Sequence, residues 1–264
     1  MHPILFKISI PGSDTLLSVP SYGFVAVTAV LTAFFLFVRS RHILGKDLDS
    51  MLLVAVEILA LGLFGSSLGN GVLILLGQGS ITEPFGWKVF ASGLAWQGGL
   101  LLAIPLGIWY IRFMRFPVRA TLDALTIPVL VGYTIGRIGC FLAGCCYGKP
   151  TSLVWGITYP PGNPFGGAPS GVSLHPTPLY AAISSIIVIG ILIKTRPLLK
   201  KEGHFFLSAL ALNSFARFLV EFLRGDHGPL VGFLTSQQIF ALACIAAVLV
   251  LILRERPLST PLKN

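Results

Sequence analysis

Three arginines stand where arginine is costly. Arg137 lies in Gly136-Arg137-Ile138-Gly139, at the end of a strongly apolar run, and Arg217 lies within another. Along that second run Asn213, Arg217, Glu221 and Arg224 follow i, i+4, i+8, i+11, the spacing of one helix face. A guanidinium held in a lipid-facing segment marks a site by default, because its transfer from water is so unfavourable. Its planar fork of donors matches phosphate oxygens and it stays charged when desolvated. Two arginines on different segments and one carboxylate leave positive charge for an anionic headgroup. The alternative is a structural ion pair, Arg217 with Glu221, tying segments together.

Other candidates are weaker alone. His175 opens His175-Pro176-Thr177-Pro178-Leu179-Tyr180 and reads either as a cap or loop histidine or as a site group. Trp96-Gln97-Gly98-Gly99-Leu100 carries paired glycines, which permit close helix packing or ligand approach. Cys140, Cys145 and Cys146 cluster near Arg137, with Cys244 apart. The C-x₄-C-C spacing is not that of a zinc site and offers no fourth ligand. The thiols read as small buried groups, with an outer-face disulfide in an oxidising compartment as the alternative, and neither a metal nor a cofactor is expected.

The elements that position these residues follow from composition. The chain has 264 residues, 54% hydrophobic and only 11% charged, with a mean hydropathy of +0.84. That is a polytopic membrane protein, all-α, rather than a soluble domain. Runs of roughly 20 apolar residues cross the hydrocarbon core, and they fall at about 21–38, 51–76, 89–111, 120–142, 177–194, 204–223 and 235–253. The expectation is one integral-membrane domain over 1–264 with seven transmembrane helices.

The net charge of +9 sorts by loop, so it reads as orientation and not as a nucleic-acid footprint. Arg39, Arg41 and Lys46, then Arg112, Arg115 and Arg119, then Lys194, Arg196, Lys200 and Lys201, and finally Arg254, Arg256 and Lys263 lie in alternate connections. Those connections face the cytoplasm, which puts the N-terminus outside and the C-terminus inside. Arg137, Arg217 and Arg224 do not fit that pattern and need another reason. No cleavable signal is apparent. Residues 1–20 form either an arm on the outer surface or a disordered tail, and the long connection 149–176, with Trp155, Tyr159 and Phe165, forms a functional or ordered extracytoplasmic loop. The absence of an internal repeat weighs against an anion transporter.

In order along the chain, Met1-His2-Pro3-Ile4-Leu5-Phe6, Ser21-Tyr22-Gly23-Phe24, Gly98-Gly99-Leu100, Asp123 with Pro128, Gly136-Arg137-Ile138-Gly139, the His175–Tyr180 stretch, Arg217-Phe218-Leu219-Val220-Glu221-Phe222 and Leu234-Thr235-Ser236-Gln237-Gln238-Ile239 resemble the prolipoprotein diacylglyceryl transferases. The resemblance runs nearly the whole chain. It implies a bacterial inner-membrane enzyme that moves the diacylglyceryl group of phosphatidylglycerol to a lipobox cysteine of a prolipoprotein, forming a thioether in lipoprotein maturation. Its partners would be phosphatidylglycerol, lipobox peptides and membrane lipid, and not nucleic acid. By the same matching, Arg137 and Arg217 bind and polarise the phosphate, Glu221 orients Arg217, Tyr22 and His175 line the site, and Gly148 allows backbone approach. Gln97, Gly98, Gly99, Arg224 and Asn213 complete the expected substrate-binding set.

Four departures from the family pattern are visible. Gln97 stands where many members have a histidine, and an amide cannot take a proton at neutral pH. Cys140, Ala143 and Cys145 replace two asparagines and a glutamate in the signature, Gly65-Ser66-Ser67 replaces Gly-Gly-Arg, and Ala181 replaces a glutamate. Loss of a glutamate together with an arginine is consistent with coupled removal of two buried charges. The alternative reading is a divergent paralogue that binds phospholipid headgroups without transfer, or uses another acceptor or lipid.

Overall fold

The protein is described by a computed structural model covering residues 4–9, 16–75, 96–161, 167–226 and 228–255. The elements are β1 (Ile4–Ser9), β2 (Leu16–Pro20), α1 (Ser21–Arg39), α2 (Arg41–Leu44), α3 (Leu48–Leu75), α4 (Trp96–Phe113), α5 (Val118–Ala143), β3 (Ile157–Thr158), β4 (Ser173–Leu174), α6 (Thr177–Thr195), α7 (His204–Glu221) and α8 (Ser236–Arg254). The fold is helical, as its composition requires.

Among the described residues, five stretches are long and apolar enough to cross a membrane: Ser21–Arg39, Leu48–Ser66, Val118–Ala143, Thr177–Leu198 and Ser236–Arg254. At about 1.5 Å per residue even the shortest reaches roughly 28 Å, close to the hydrocarbon thickness. The two remaining expected spans differ for separate reasons. The one at 89–111 begins outside the described residues, and its apolar helix is Leu102–Phe113. α7 has 18 residues, but His204, Asn213, Arg217 and Glu221 dilute its apolar character. The residues that single it out as a site helix are the ones that make it a weak span.

The chain divides into two compact units. Residues 34–125 form one. Its core gathers Phe37, Leu44, Met51, Val54, Ile111 and Phe116. α3 and α4 meet closely at Gly99, where a Cβ would collide with Ser66 Oγ and stand 2.9 Å from the Gly62 carbonyl. Asp47 caps α3: the Ser50 amide donates to Oδ2 at 2.9 Å and the Ser50 hydroxyl to Oδ1 at 2.8 Å. Those bonds, the amide's first, hold the Asp47 carboxyl below its usual range. Lys46 Nζ donates to the Arg115 carbonyl at 3.0 Å and lies 4.6 Å from the Phe116 ring centroid. Two of the basic connections expected on one side of the membrane thus meet at one end of this unit.

Residues 1–33 and 126–264 form the other unit. Leu130, Val188, Leu192, Phe205 and Ala209 make its core from α5, α6 and α7, and the Ser185 hydroxyl of α6 donates to the Leu130 carbonyl of α5 at 3.4 Å. Such interhelical bonds add to packing where lipid supplies no hydrophobic drive between helices. His204 Nε2 sits 2.8 Å from Glu255 Oε2, joining the start of α7 to the end of α8. Over its described residues the N-terminal segment is a hairpin and not a disordered tail: β1 and β2 pair antiparallel, with a bulge between Ile4 and Phe6.

Candidate active site

The chemistry-bearing residues of this second unit gather at the ends of α5 and α7. Arg137 sits two turns before the end of α5, and α7 ends at Glu221. Arg217 and Glu221, one turn apart, are both buried, and Arg217 Nη2 lies 3.0 Å from Glu221 Oε2, close but not aligned as a hydrogen bond. The fourth member of the expected helical face is not on the helix. α7 stops at Glu221 and the chain turns, so Arg224 reaches the same carboxylate from beyond the helix end, with its Nε 3.7 Å from Oε2. Burial of Arg224 is offset by Asp226, which accepts from Nε at 2.8 Å and from Nη2 at 2.5 Å.

Glu221 is fixed from a third direction. The Thr235 hydroxyl donates to Glu221 Oε1 at 3.2 Å while the same oxygen accepts from the Gln238 amide at 3.3 Å. Thr235 and Gln238 form a capping box that starts α8, with the Thr235 amide donating to Gln238 Oε1 at 3.0 Å. The first turn of α8 therefore holds the carboxylate that holds two arginines.

Arg137 has a different setting. Its guanidinium carbon lies 4.6 Å from the centroid of the Tyr133 ring, and Nη1 donates to Cys146 Sγ at 3.6 Å. Among the described residues no carboxylate lies within ion-pair distance of it. Arg217 is within electrostatic reach of both Arg137 and Arg224. Three guanidinium groups thus face two carboxylates, and the excess charge belongs to Arg137. Tyr22, at the start of α1, is 43% exposed, and a Cβ on Gly139 would lie 3.4 Å from its ring. It shares the electrostatic surroundings of Arg137 and the three neighbouring thiols.

The way the chain leaves α5 builds the next part. Gly144 adopts φ 73°, the Gly144 amide bonds to the Phe141 carbonyl at 3.4 Å, and the Cys145 amide bonds to the Cys140 carbonyl at 3.2 Å. This is a Schellman ending, and glycine is the residue that tolerates its left-handed turn. Cys146 then adopts φ 58°, strained for a side chain with a Cβ. The two reversals fold Cys145 and Cys146 back over Cys140, so the three sulfurs lie within 4.8 Å of one another.

Beyond Cys146 the chain runs between two others. The Gly148 amide bonds to the His175 carbonyl at 3.0 Å, the Lys149 amide to the Leu223 carbonyl at 2.8 Å, and the Gly225 amide to the Tyr147 carbonyl at 3.1 Å. A Cβ on Gly148 would stand 2.5 Å from His175 Cβ and 2.9 Å from the Leu223 carbonyl. Only glycine fits there, which ties the stretch after Arg137 to the stretch before Arg224. Gly148 thus serves backbone approach between segments of the protein itself.

His175 is not a cap by its side chain: Pro176 occupies the cap position of α6 with no side-chain bond. Its Nδ1 lies 3.3 Å from the Tyr180 hydroxyl, which accepts from Trp155 Nε1 at 2.8 Å. The loop that supplies Trp155 is ordered by the β3–β4 pair and buries Tyr159, whose phenol burial and the neighbouring thiols push up to about 12. Phe165 lies outside the described residues.

The unit thus brings together Tyr22, Arg137, Gly148, Arg217, Glu221 and Arg224. His175 joins through Gly148, and Asn213 is partly buried one turn before Arg217. Gln97, Gly98 and Gly99 belong to the other unit. Gly99 has a packing role there, and the side chain of Gln97 lies outside those described. Sequence reasoning missed Asp226, Thr235, Tyr180 and Trp155 as partners. Arg224-Gly225-Asp226 carried a signal, since a charged pair two residues apart follows a membrane segment. Nothing in spacing announced Tyr180 as the partner of His175.

A family profile described as prolipoprotein diacylglyceryl transferase matches residues 4–254. The chain belongs to the prolipoprotein diacylglyceryl transferase family. Among its relatives are proteins named phosphatidylglycerol–prolipoprotein diacylglyceryl transferase. The one from Clostridium tetani is 30% identical, covering 93% of this chain and 94% of the relative. That of Geobacter sulfurreducens is 32% identical over 87% and 90%, and that of Dehalococcoides mccartyi strain 195 is 27% identical over 100% and 98%. The family match spans both compact units, including the arginine cluster and the α3–α4 pair. As a family member built of several apolar helices, the protein is a multi-pass membrane transferase.

Proposed function

We propose that this protein transfers the diacylglyceryl group of phosphatidylglycerol to the lipobox cysteine of prolipoproteins, as the names of its relatives state of them. The observation that carries this reading to particular residues is the grouping of Arg137 with Arg217 and Arg224, whose two carboxylates pair with Arg217 and Arg224 and leave the partly buried Arg137 guanidinium for a phosphate. Arg137 would take the phosphate oxygens, with Arg217 beside it held in place by Glu221. The lipobox sulfur attacks the glyceryl carbon, a carbon–sulfur bond forms, and the carbon–oxygen bond to phosphate breaks with its electron pair going to oxygen. The thiol proton ends on the released glycerol phosphate. Charge grows on that leaving oxygen, where fixed guanidinium donors lower the barrier most, and both substrates are held so that they meet at short range. Tyr22 and His175 line this region, and Arg224 and Asn213 extend it.

In this reading the whole chain works as one domain of seven membrane helices, including α7 and the helix containing Trp96–Phe113. The N-terminus lies outside, the C-terminus lies in the cytoplasm, and the cavity opens to the extracytoplasmic side of the bacterial inner membrane. The sorting of basic residues supports that orientation, as does the meeting of Lys46 with Arg115 and of His204 with Glu255. Gln97 favours a second reading, a headgroup-binding paralogue without transfer, because it cannot accept the thiol proton.

One assay separates the two: purified protein in detergent with phosphatidylglycerol and a lipobox peptide, against a Cys→Ala peptide. Thioether formed only with the cysteine peptide is the expected result. Phospholipid bound without product would establish the receptor instead.

A further inference from the structure

Beside the arginine cluster lies a group of side chains that the transfer reaction does not use. Cys140, Cys145 and Cys146 come from a helix end and two successive reversals, and all three are free and partly buried. Their sulfurs lie within 4.8 Å of one another. With metal–sulfur bonds of about 2.3 Å, three sulfurs around a trigonal centre stand about 4 Å apart, so small side-chain rotations would bring this trio onto one ion.

We propose that Cys140, Cys145 and Cys146 form a binding site for a soft monovalent cation, Cu(I), held by three thiolates. Thiolate ligands select soft metals. Zinc would need a fourth ligand, and among the described residues no histidine or carboxylate joins the trio. Binding releases three thiol protons as three sulfur–copper bonds form, leaving a complex of net charge −2. Its surroundings suit that charge. Arg137 already donates to Cys146 Sγ at 3.6 Å, and Arg224 acts on the same sulfur from its pairing with Asp226.

Two further observations point the same way. The hydroxyl of Tyr159 is buried with no hydrogen-bond partner and lies in electrostatic reach of all three cysteines. A buried donor left without a partner is stabilised by negative charge within that reach. Cys146 also occupies a left-handed backbone conformation that costs about 1–3 kcal/mol for a residue with a Cβ. That conformation is what turns its sulfur towards the other two. The proposal stands whether or not the protein performs diacylglyceryl transfer.

The test is Cu(I) titration of the reduced full-length protein in detergent, without oxygen, against a chromophoric Cu(I) chelator. One copper per chain should be withdrawn from the chelator. That withdrawal should be lost in Cys140→Ser, Cys145→Ser and Cys146→Ser and kept in Cys244→Ser. X-ray absorption at the copper edge of the unmutated protein, which needs no variant to fold, should report three sulfur neighbours. No copper bound by folded protein, equal binding by all four variants, or fewer than three sulfur neighbours would overturn the site. So would a disulfide within the trio in protein isolated from membranes.

Discussion

Arg217 and Arg137 are alike in residue type and differ in the partners that hold them. Arg217 is buried against Glu221, and Glu221 is in turn gripped by Arg224 and by the hydroxyl that caps α8. Arg137 leans on the face of Tyr133 and on a thiol. Carboxylates neutralise a guanidinium, whereas a ring face and a thiol leave most of its charge available. One arginine therefore fixes the architecture and the other offers charge. A site holding an anion, as proposed above, would need both kinds.

The sharpest way to break this contrast is to remove the carboxylate. Glu221→Gln strips two buried guanidinium groups of their shared partner, and loss of one member of a buried pair typically costs about 3–5 kcal/mol. Thermal unfolding in detergent should show a large drop in stability with transfer falling alongside it. A variant as stable as the parent would mean that Arg217 and Arg224 are not held by Glu221.

Arg137 should behave in the opposite way. Arg137→Ala should keep the unfolding temperature close to that of the parent while transfer falls by about 10²–10³-fold, the usual cost of losing one fixed donor to developing negative charge. Arg137→Lys should recover little, because a point charge lacks the fork. A stability loss in Arg137→Ala equal to that of Glu221→Gln would erase the distinction.

Smaller effects refine it. Thr235→Ala removes an N-cap and a bond to Glu221, so a loss of about 1 kcal/mol is expected in denaturation, with the amide of Gln238 exchanging faster. Tyr180→Phe deletes a hydroxyl that both His175 and Trp155 use. It should leave stability within about 1 kcal/mol and change the pH profile of transfer if His175 takes part. An unaltered profile would reduce His175 to a lining residue.

The arginines were legible in the sequence because lipid makes charge expensive, so each one that survives there asks for a reason. The i, i+4 relation of Arg217 and Glu221 was legible for the same reason, combined with helical spacing. Arg224 was misplaced on the helix because periodicity continues past Glu221 while the backbone does not. The meeting of three cysteines depends on two left-handed residues, Gly144 and Cys146. A glycine after a helix hints at the first reversal, but nothing in the letters announces a cysteine in the second. The β1–β2 hairpin was missed because a short, mixed segment with prolines has no strong period. Seven apolar runs were readable by length alone, yet α7 shows that a helix carrying the site is the one whose hydropathy says least.

The hydroxyl of Thr235 has a use outside energetics. It passes from the Gln238 amide on one side to the Glu221 carboxylate on the other, so the electronic state of a buried acid is written onto a single backbone proton. In a protein labelled with ¹⁵N at glutamine, the Gln238 resonance becomes a gauge of what the arginines are holding. It reads the site through α8 without a probe entering it.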